Sequence, residues 1–72
     1  MGLTWTDSED IGIELVERHP GQDPLKVRFT ELRDMVMALP GFEGTTEQLN
    51  EKKLEAIQMA WYEEFQEVQA ED

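Results

Sequence analysis

Apolar residues recur every three to four positions in three segments of the chain, a spacing that places them on one face of an α-helix. The segments are about residues 7–19, 31–39 and 51–69. Their apolar positions are Ile11, Leu15 and Val16 in the first, Leu32, Met35, Val36 and Leu39 in the second, and Leu54, Ile57, Trp61, Phe65 and Val68 in the third. The pattern predicts three amphipathic helices that share one core.

Polar caps and Pro-Gly pairs mark where these helices begin and end. The candidate N-caps are Thr6, Thr30 and Asn50, with Thr46 as an alternative start for the third helix. Thr6 and Glu9 also have the spacing of a capping box. Pro-Gly pairs at 20–21 and 40–41 end the first two helices, because proline cannot continue a helix.

One short segment has a different period. In residues 25–29, LKVRF, apolar and charged side chains alternate, which predicts a short strand with one buried face. Leu3 and Trp5 alternate in the same way and are candidates to pair with it. Two short segments do not form a stable sheet alone, so the helices are expected to cover them.

The predicted fold class is therefore mainly α with a minimal β-sheet, in one domain that spans residues 1–72. Phe42 is expected to anchor the loop of residues 41–50 to the core, and residues 66–72 to form a frayed acidic tail. The expected core residues are Trp5, Ile11, Leu15, Phe29, Leu32, Val36, Leu39, Phe42, Leu54, Ile57, Trp61 and Phe65.

The charge of the chain limits its partners. There are 17 Asp and Glu against 6 Lys and Arg, for a formal net charge of −11. Phosphate binding needs cationic side chains, so we expect no binding to nucleic acid or to an anionic membrane. A negative field attracts basic protein surfaces and cations instead. Solubility alone would also explain the acidity, but not its clustering.

Enzyme chemistry finds little support. There is no cysteine, so a disulfide, a thiolate metal site and a nucleophilic thiol are excluded. The one histidine, His19, precedes Pro20 at a helix end, where it suits the terminal carbonyls. The carboxylates fall on solvated faces, where nothing would separate their pKa values for acid–base work. No apolar run could span a bilayer, and we expect a non-enzymatic, cytoplasmic protein.

The first helix carries a row of like charges. Its members are Asp7, Asp10, Glu14 and Glu17, spaced three, four and three residues apart. Close pairs of this kind cost a few tenths of a kcal/mol each, roughly. Three interpretations remain open: a solvated helix face, a docking face for a basic partner, or a weak all-oxygen site for a cation such as Fe²⁺.

Three motifs together resemble the IscX family, the small acidic accessory proteins of bacterial iron–sulfur cluster (Isc) assembly. They are MGLTWTDSEDIG, DPLKVRFTEL and NEKKLEAIQMAWYEE, which cover most of the chain in the family's order. The resemblance implies a modified winged-helix-like domain with three helices and a monomeric state. It also implies binding to the cysteine desulfurase IscS, in competition with the frataxin homologue and ferredoxin, and weak, reversible binding of ferrous iron.

The resemblance and the charged row together give two sets of candidate residues. The partner-binding set is Asp7, Asp10, Glu14, Glu31, Glu51, Glu55 and Glu64, in which only Glu14 comes from the periodicity and not from the family motifs. The metal set is Asp7, Asp10, Glu14 and Glu17. Residues 43–46 depart from the family, which has an Asp-rich stretch there, so iron binding through that loop would be weaker. A DNA mimic or a generic acidic protein-binding module is the alternative function.

Overall fold

The structure, a computed structural model, describes residues 2–70 and is mainly helical. Its α-helices are α1 (Ser8–Arg18), α2 (Phe29–Met37) and α3 (Glu51–Ala70). Two short 3₁₀ helices, Pro24–Lys26 and Thr46–Gln48, lie in the connections. The three predicted helices are thus confirmed. None of the helices within residues 2–70 is long and apolar enough to cross a membrane.

Helices α1 and α3 form the main helix pair of the domain, and Gly12 allows them to pack closely together. Gly12 is buried in α1. A Cβ atom at this position would lie 2.9 Å from the carbonyl carbon of Ala60 and from the backbone nitrogen of Trp61. Real Cβ atoms do not come so near to backbone, so the two helices can approach this closely only because residue 12 has no side chain.

The core lies between these helices and α2. Its buried residues are Trp5, Ile11, Leu15, Val16, Val27, Leu32, Val36, Leu39, Leu54, Ile57 and Trp61. The predicted Phe29, Phe42 and Phe65 are half-buried and pack against this cluster. Phe42 meets the edge of the Trp5 ring, with centroids 4.7 Å apart. Phe42 therefore contacts the core as predicted, and Val27 is buried as its alternation with charged neighbours predicted.

The strand predicted for residues 25–29 is wrong. Asp23 accepts a hydrogen bond from the backbone nitrogen of Leu25 at 3.0 Å and so caps a 3₁₀ helix that begins at Pro24. Leu25 is 54 % exposed, although the alternation predicted it to be buried. Proline fixes φ in the helical range, so the Asp-Pro pair outweighs the two-residue alternation. The chain then enters α2 at Phe29.

Leu3 pairs with a different part of the chain. Its backbone nitrogen donates to the Gly41 carbonyl at 2.9 Å, and its carbonyl accepts from the Glu43 nitrogen at 2.7 Å. This makes one isolated parallel bridge between Leu3 and Phe42. Over residues 2–70 the chain forms this bridge and no strand, so the predicted pairing of Leu3 with residues 25–29 does not occur.

The helix caps agree with the prediction only for α3. The Asn50 side chain accepts from the Lys53 backbone nitrogen at 2.9 Å, which confirms Asn50 as the N-cap. Asp7, not Thr6, is the N-cap residue of α1, so the capping box predicted there is wrong. Thr30 lies inside α2, which begins after Arg28. The predicted frayed tail is helical as far as Ala70, and its last two residues, 71–72, lie outside the described residues.

Candidate docking surface

The outward side of α1 surrounds one apolar residue with acidic ones. Ile13 is 40 % exposed. Its neighbours on the helix surface, four and three residues before it and four after it, are Glu9, Asp10 and Glu17, all of them exposed. Because Gly12 and the apolar face of α1 are packed against α3 and the core, this acidic side is left to the solvent.

Two depressions border Ile13. The first lies between the start of α1 and the turn after α2, and its lining residues are Leu3, Asp10, Ile13, Glu14 and Pro40. The second lies between α1 and α3, and its lining residues are Glu9, Ile13, Ala60, Glu63 and Glu64. We refer to these nine residues together as the Ile13 surface. Acidic side chains from two helices meet on it.

Asp7 differs from the other predicted site residues because it already has partners. One oxygen of its half-buried carboxylate, Oδ2, accepts hydrogen bonds from the backbone nitrogen of Thr4 at 2.9 Å and from the Thr4 hydroxyl at 3.2 Å. A carboxylate with local donors stabilises the turn that leads into α1. Asp7 therefore has a structural role whether or not it meets a partner.

Glu14 has a cationic neighbour on its own helix. The guanidinium of Arg18 lies 3.7 Å from the Glu14 carboxylate, and both side chains are partly exposed. Pairs of this kind contribute little to stability, because solvent screens them. Arg18 is the one basic residue of α1, and four acidic residues share the helix with it. The outward side of α1 is consequently negative even with this pair formed.

The predicted partner-binding residues do not all lie together. The structure brings Asp10, Glu14 and Glu64 to the Ile13 surface. Glu55 is nine residues from Glu64 on α3, which at 100° per residue places the two on opposite sides of that helix. Glu31 and Glu51 are exposed in the first turns of α2 and α3. A single flat partner surface cannot contact Glu55 and Glu64 together.

Glu9, Glu63 and Ile13 belong to the surface although they were not among the predicted site residues. The sequence does contain an indication of their position. A glycine inside a helical pattern often marks close packing against another element. Gly12 therefore could have placed α1 against a second helix, although the sequence does not state which residues of that helix lie opposite.

The acidic row of α1 does not form a closed metal site. At a rise of about 1.5 Å per residue, Asp7 and Glu17 stand about 15 Å apart along the helix, too far for one ion. Across residues 2–70, moreover, no three Asp, Glu or His side chains come close enough together to hold a metal ion. Any cation bound here would contact carboxylates from neighbouring turns and keep most of its water.

Comparison with known proteins identifies the class to which this small acidic helical domain belongs. The family model described as iron–sulphur cluster assembly matches residues 3–66, and the chain belongs to that family, the IscX family whose motifs it carries. An uncharacterized protein of Pseudomonas aeruginosa is 48 % identical over 64 residues, which are 89 % of this chain and 97 % of the relative. The family description names an assembly process and no catalysed reaction.

Proposed function

We propose that this chain is a non-enzymatic regulator of iron–sulfur cluster assembly that docks on the cysteine desulfurase IscS. The observation that carries the proposal is the meeting of acidic side chains from α1 and α3 on the Ile13 surface, in a chain of net charge −11. Complementary charge speeds association and selects the partner. The membership of the chain in a cluster-assembly family supports a partner from that machinery.

In this proposal the protein acts as a cytoplasmic monomer that occupies a basic area of the desulfurase. The frataxin homologue and ferredoxin would compete for the same area, so the protein would alter the rate of assembly by occupancy. The three helices agree with the helical part of a modified winged-helix domain, and assignment to that fold remains a prediction. The charge of the chain opposes the nucleic-acid binding for which such domains are known.

Binding to the desulfurase is expected to weaken steeply with salt. Raising the ionic strength from about 0.1 M to about 1 M shortens the Debye length from about 10 Å to about 3 Å, which screens partly exposed charges. Isothermal titration calorimetry at both salt concentrations measures the effect, and addition of the frataxin homologue tests competition. Strong binding that salt does not change would contradict electrostatic docking, and no binding at low salt would contradict the proposed function itself.

We also propose that the acidic row of α1 binds ferrous iron weakly as cargo. Carboxylates alone, without imidazole or thiolate, hold Fe²⁺ reversibly. Asp10 and Glu14 lie on successive turns and line one depression, so they are the best-placed pair. Titration of ¹⁵N-labelled protein with Fe²⁺ under anaerobic conditions should broaden the signals of residues 7–17 first. The double variant Asp10→Asn, Glu14→Gln should lose this effect.

One result of this Fe²⁺ titration would contradict the iron proposal. Glu51 and Glu55 are also four residues apart on a helix, and they serve as the control pair. If the signals around all acidic residues, including this pair, broaden together and equally, the metal is attracted only by the net charge. Binding by a defined set of α1 carboxylates would then be wrong.

A further inference from the structure

We propose that Ile13 is the apolar contact at the centre of the docking surface, and that the depressions on its two sides each receive an arginine side chain of the partner. This inference rests on the proposed function and specifies the chemistry of the same surface. Ile13 is large and 40 % exposed, and it lies among acidic residues on the solvent side of α1.

The lining of the first depression suits a side chain that is apolar along its length and cationic at its end. Leu3, Ile13 and Pro40 supply apolar walls, while Asp10 and Glu14 supply carboxylates. Arginine and lysine bury their methylene groups against apolar surface and keep the charged group at a polar edge. A hydrated Fe²⁺ ion would contact only the two carboxylates, whereas a basic protein segment would contact the carboxylates and the apolar walls and is therefore the occupant that the whole lining favours.

The second depression repeats this combination on the other side of Ile13. Ala60 and Ile13 are apolar, and three carboxylates surround them, from Glu9, Glu63 and Glu64. Carboxylates thus lie on both sides of Ile13. The surface is therefore complementary to a partner segment that has an apolar side chain between two cationic ones. The two depressions share Ile13, so both cations would be held by one continuous partner segment.

Arginine fits better than lysine for two reasons. Its guanidinium is less strongly hydrated than an ammonium group, and it can bind a carboxylate through two parallel hydrogen bonds. One guanidinium already lies beside this surface, since a nitrogen of Arg18 is 3.7 Å from a carboxylate oxygen of Glu14, a distance too long for a hydrogen bond. An arginine of the partner would bind the Glu14 carboxylate beside Arg18 or in place of Arg18.

Salt separates the apolar contribution from the charged one. Burial of Ile13 contributes a hydrophobic term that counterions do not screen, whereas the carboxylates contribute the salt-dependent term. Ile13→Ser should therefore lower the affinity for the desulfurase by about tenfold and leave its salt dependence unchanged. Asp10→Asn should lower the affinity and also flatten the salt dependence.

The matched control is Leu25→Ser, which removes a still more exposed apolar side chain, 54 % accessible, from the 3₁₀ helix Pro24–Lys26, outside the Ile13 surface. The probe is the desulfurase, with its surface arginines near the docking area replaced by lysine in a second preparation.

Affinity unchanged by Ile13→Ser, while Asp10→Asn weakens binding, would overturn this inference and leave the proposed function standing. Equal loss from Leu25→Ser would also overturn it. Absence of binding by the wild-type chain would overturn both proposals, and equal affinity for both desulfurase preparations would overturn the arginine assignment.

Discussion

Replacement of Glu64 by lysine is expected to weaken binding to the cysteine desulfurase about thirtyfold, whereas Glu55→Lys should change it less than about threefold. Glu64 lines the depression between α1 and α3. Lysine there would remove an attraction and add a repulsion of similar size, about 1 kcal/mol each for charges near 4 Å in water-like surroundings. Together these correspond to about thirtyfold in affinity.

Glu55 is the control because it lies on the same helix and carries the same charge; it is exposed, whereas Glu64 is half-buried. The two substitutions make the same change in net charge, so any long-range effect of that charge is equal in both. Only the local contact differs, because the residues face opposite directions from α3. Titration calorimetry at low salt measures both variants, and circular dichroism confirms that each one is folded. Equal losses would show that net charge, not the Ile13 surface, governs binding.

The helical part of this fold could be predicted because its residues satisfy local rules. The Asn50 side chain caps α3 by accepting a hydrogen bond from the backbone nitrogen of Lys53. This contact depends only on two residues that are three positions apart. The strand at residues 25–29 failed because two local rules conflict there. The alternation favoured a strand, while Asp23 and Pro24 favoured a turn of 3₁₀ helix, and the side-chain cap from Asp23 accompanies the second outcome.

The docking surface could be predicted only in part, because it depends on contacts between distant segments. The acidic row of α1 follows directly from helical spacing. Its meeting with Glu63 and Glu64 depends on the closeness of α1 to α3, which Gly12 permits through a contact with Ala60 and Trp61 almost fifty residues away. No local pattern states which turn of α3 lies opposite that glycine. The exposure of Ile13, by contrast, follows from helical spacing, which places it about 200° around the helix from Ile11 and Leu15.

The two tryptophans give a prediction about stability: the same substitution, tryptophan to phenylalanine, should lower the free energy of unfolding by different amounts at the two positions. Trp5 and Trp61 are both almost completely buried. The Trp5 indole nitrogen, Nε1, donates to the Thr45 carbonyl at 2.7 Å. The Trp61 Nε1 has no hydrogen-bond partner among the described residues. We expect Trp5→Phe to lower the free energy of unfolding by about 3 kcal/mol, and Trp61→Phe by about 1–2 kcal/mol.

The difference follows from what each substitution leaves behind. Both remove similar ring volume from the core and create a similar cavity cost. Trp5→Phe also loses the hydrogen bond to Thr45 and weakens the edge contact with Phe42. Trp61→Phe removes a buried donor that the fold does not satisfy, which offsets part of the lost packing. A protein of this length has an unfolding free energy of about 4–11 kcal/mol, so a loss of 3 kcal/mol is readily seen.

Urea unfolding followed by far-ultraviolet circular dichroism measures both variants without relying on the fluorescence of the residues being changed. If the unfolding free energy falls with urea concentration at the same slope in both variants, the two variants unfold from similar native states to similar denatured states. A loss for Trp61→Phe as large as that for Trp5→Phe would mean that the Trp61 indole nitrogen is hydrogen-bonded in solution. The candidate acceptor is the ring of His19, the one histidine of the chain, whose centroid lies 6.3 Å from that of Trp61. His19→Phe would then lower the stability of the wild-type chain but not that of the Trp61→Phe variant, because only the former has a donor to satisfy.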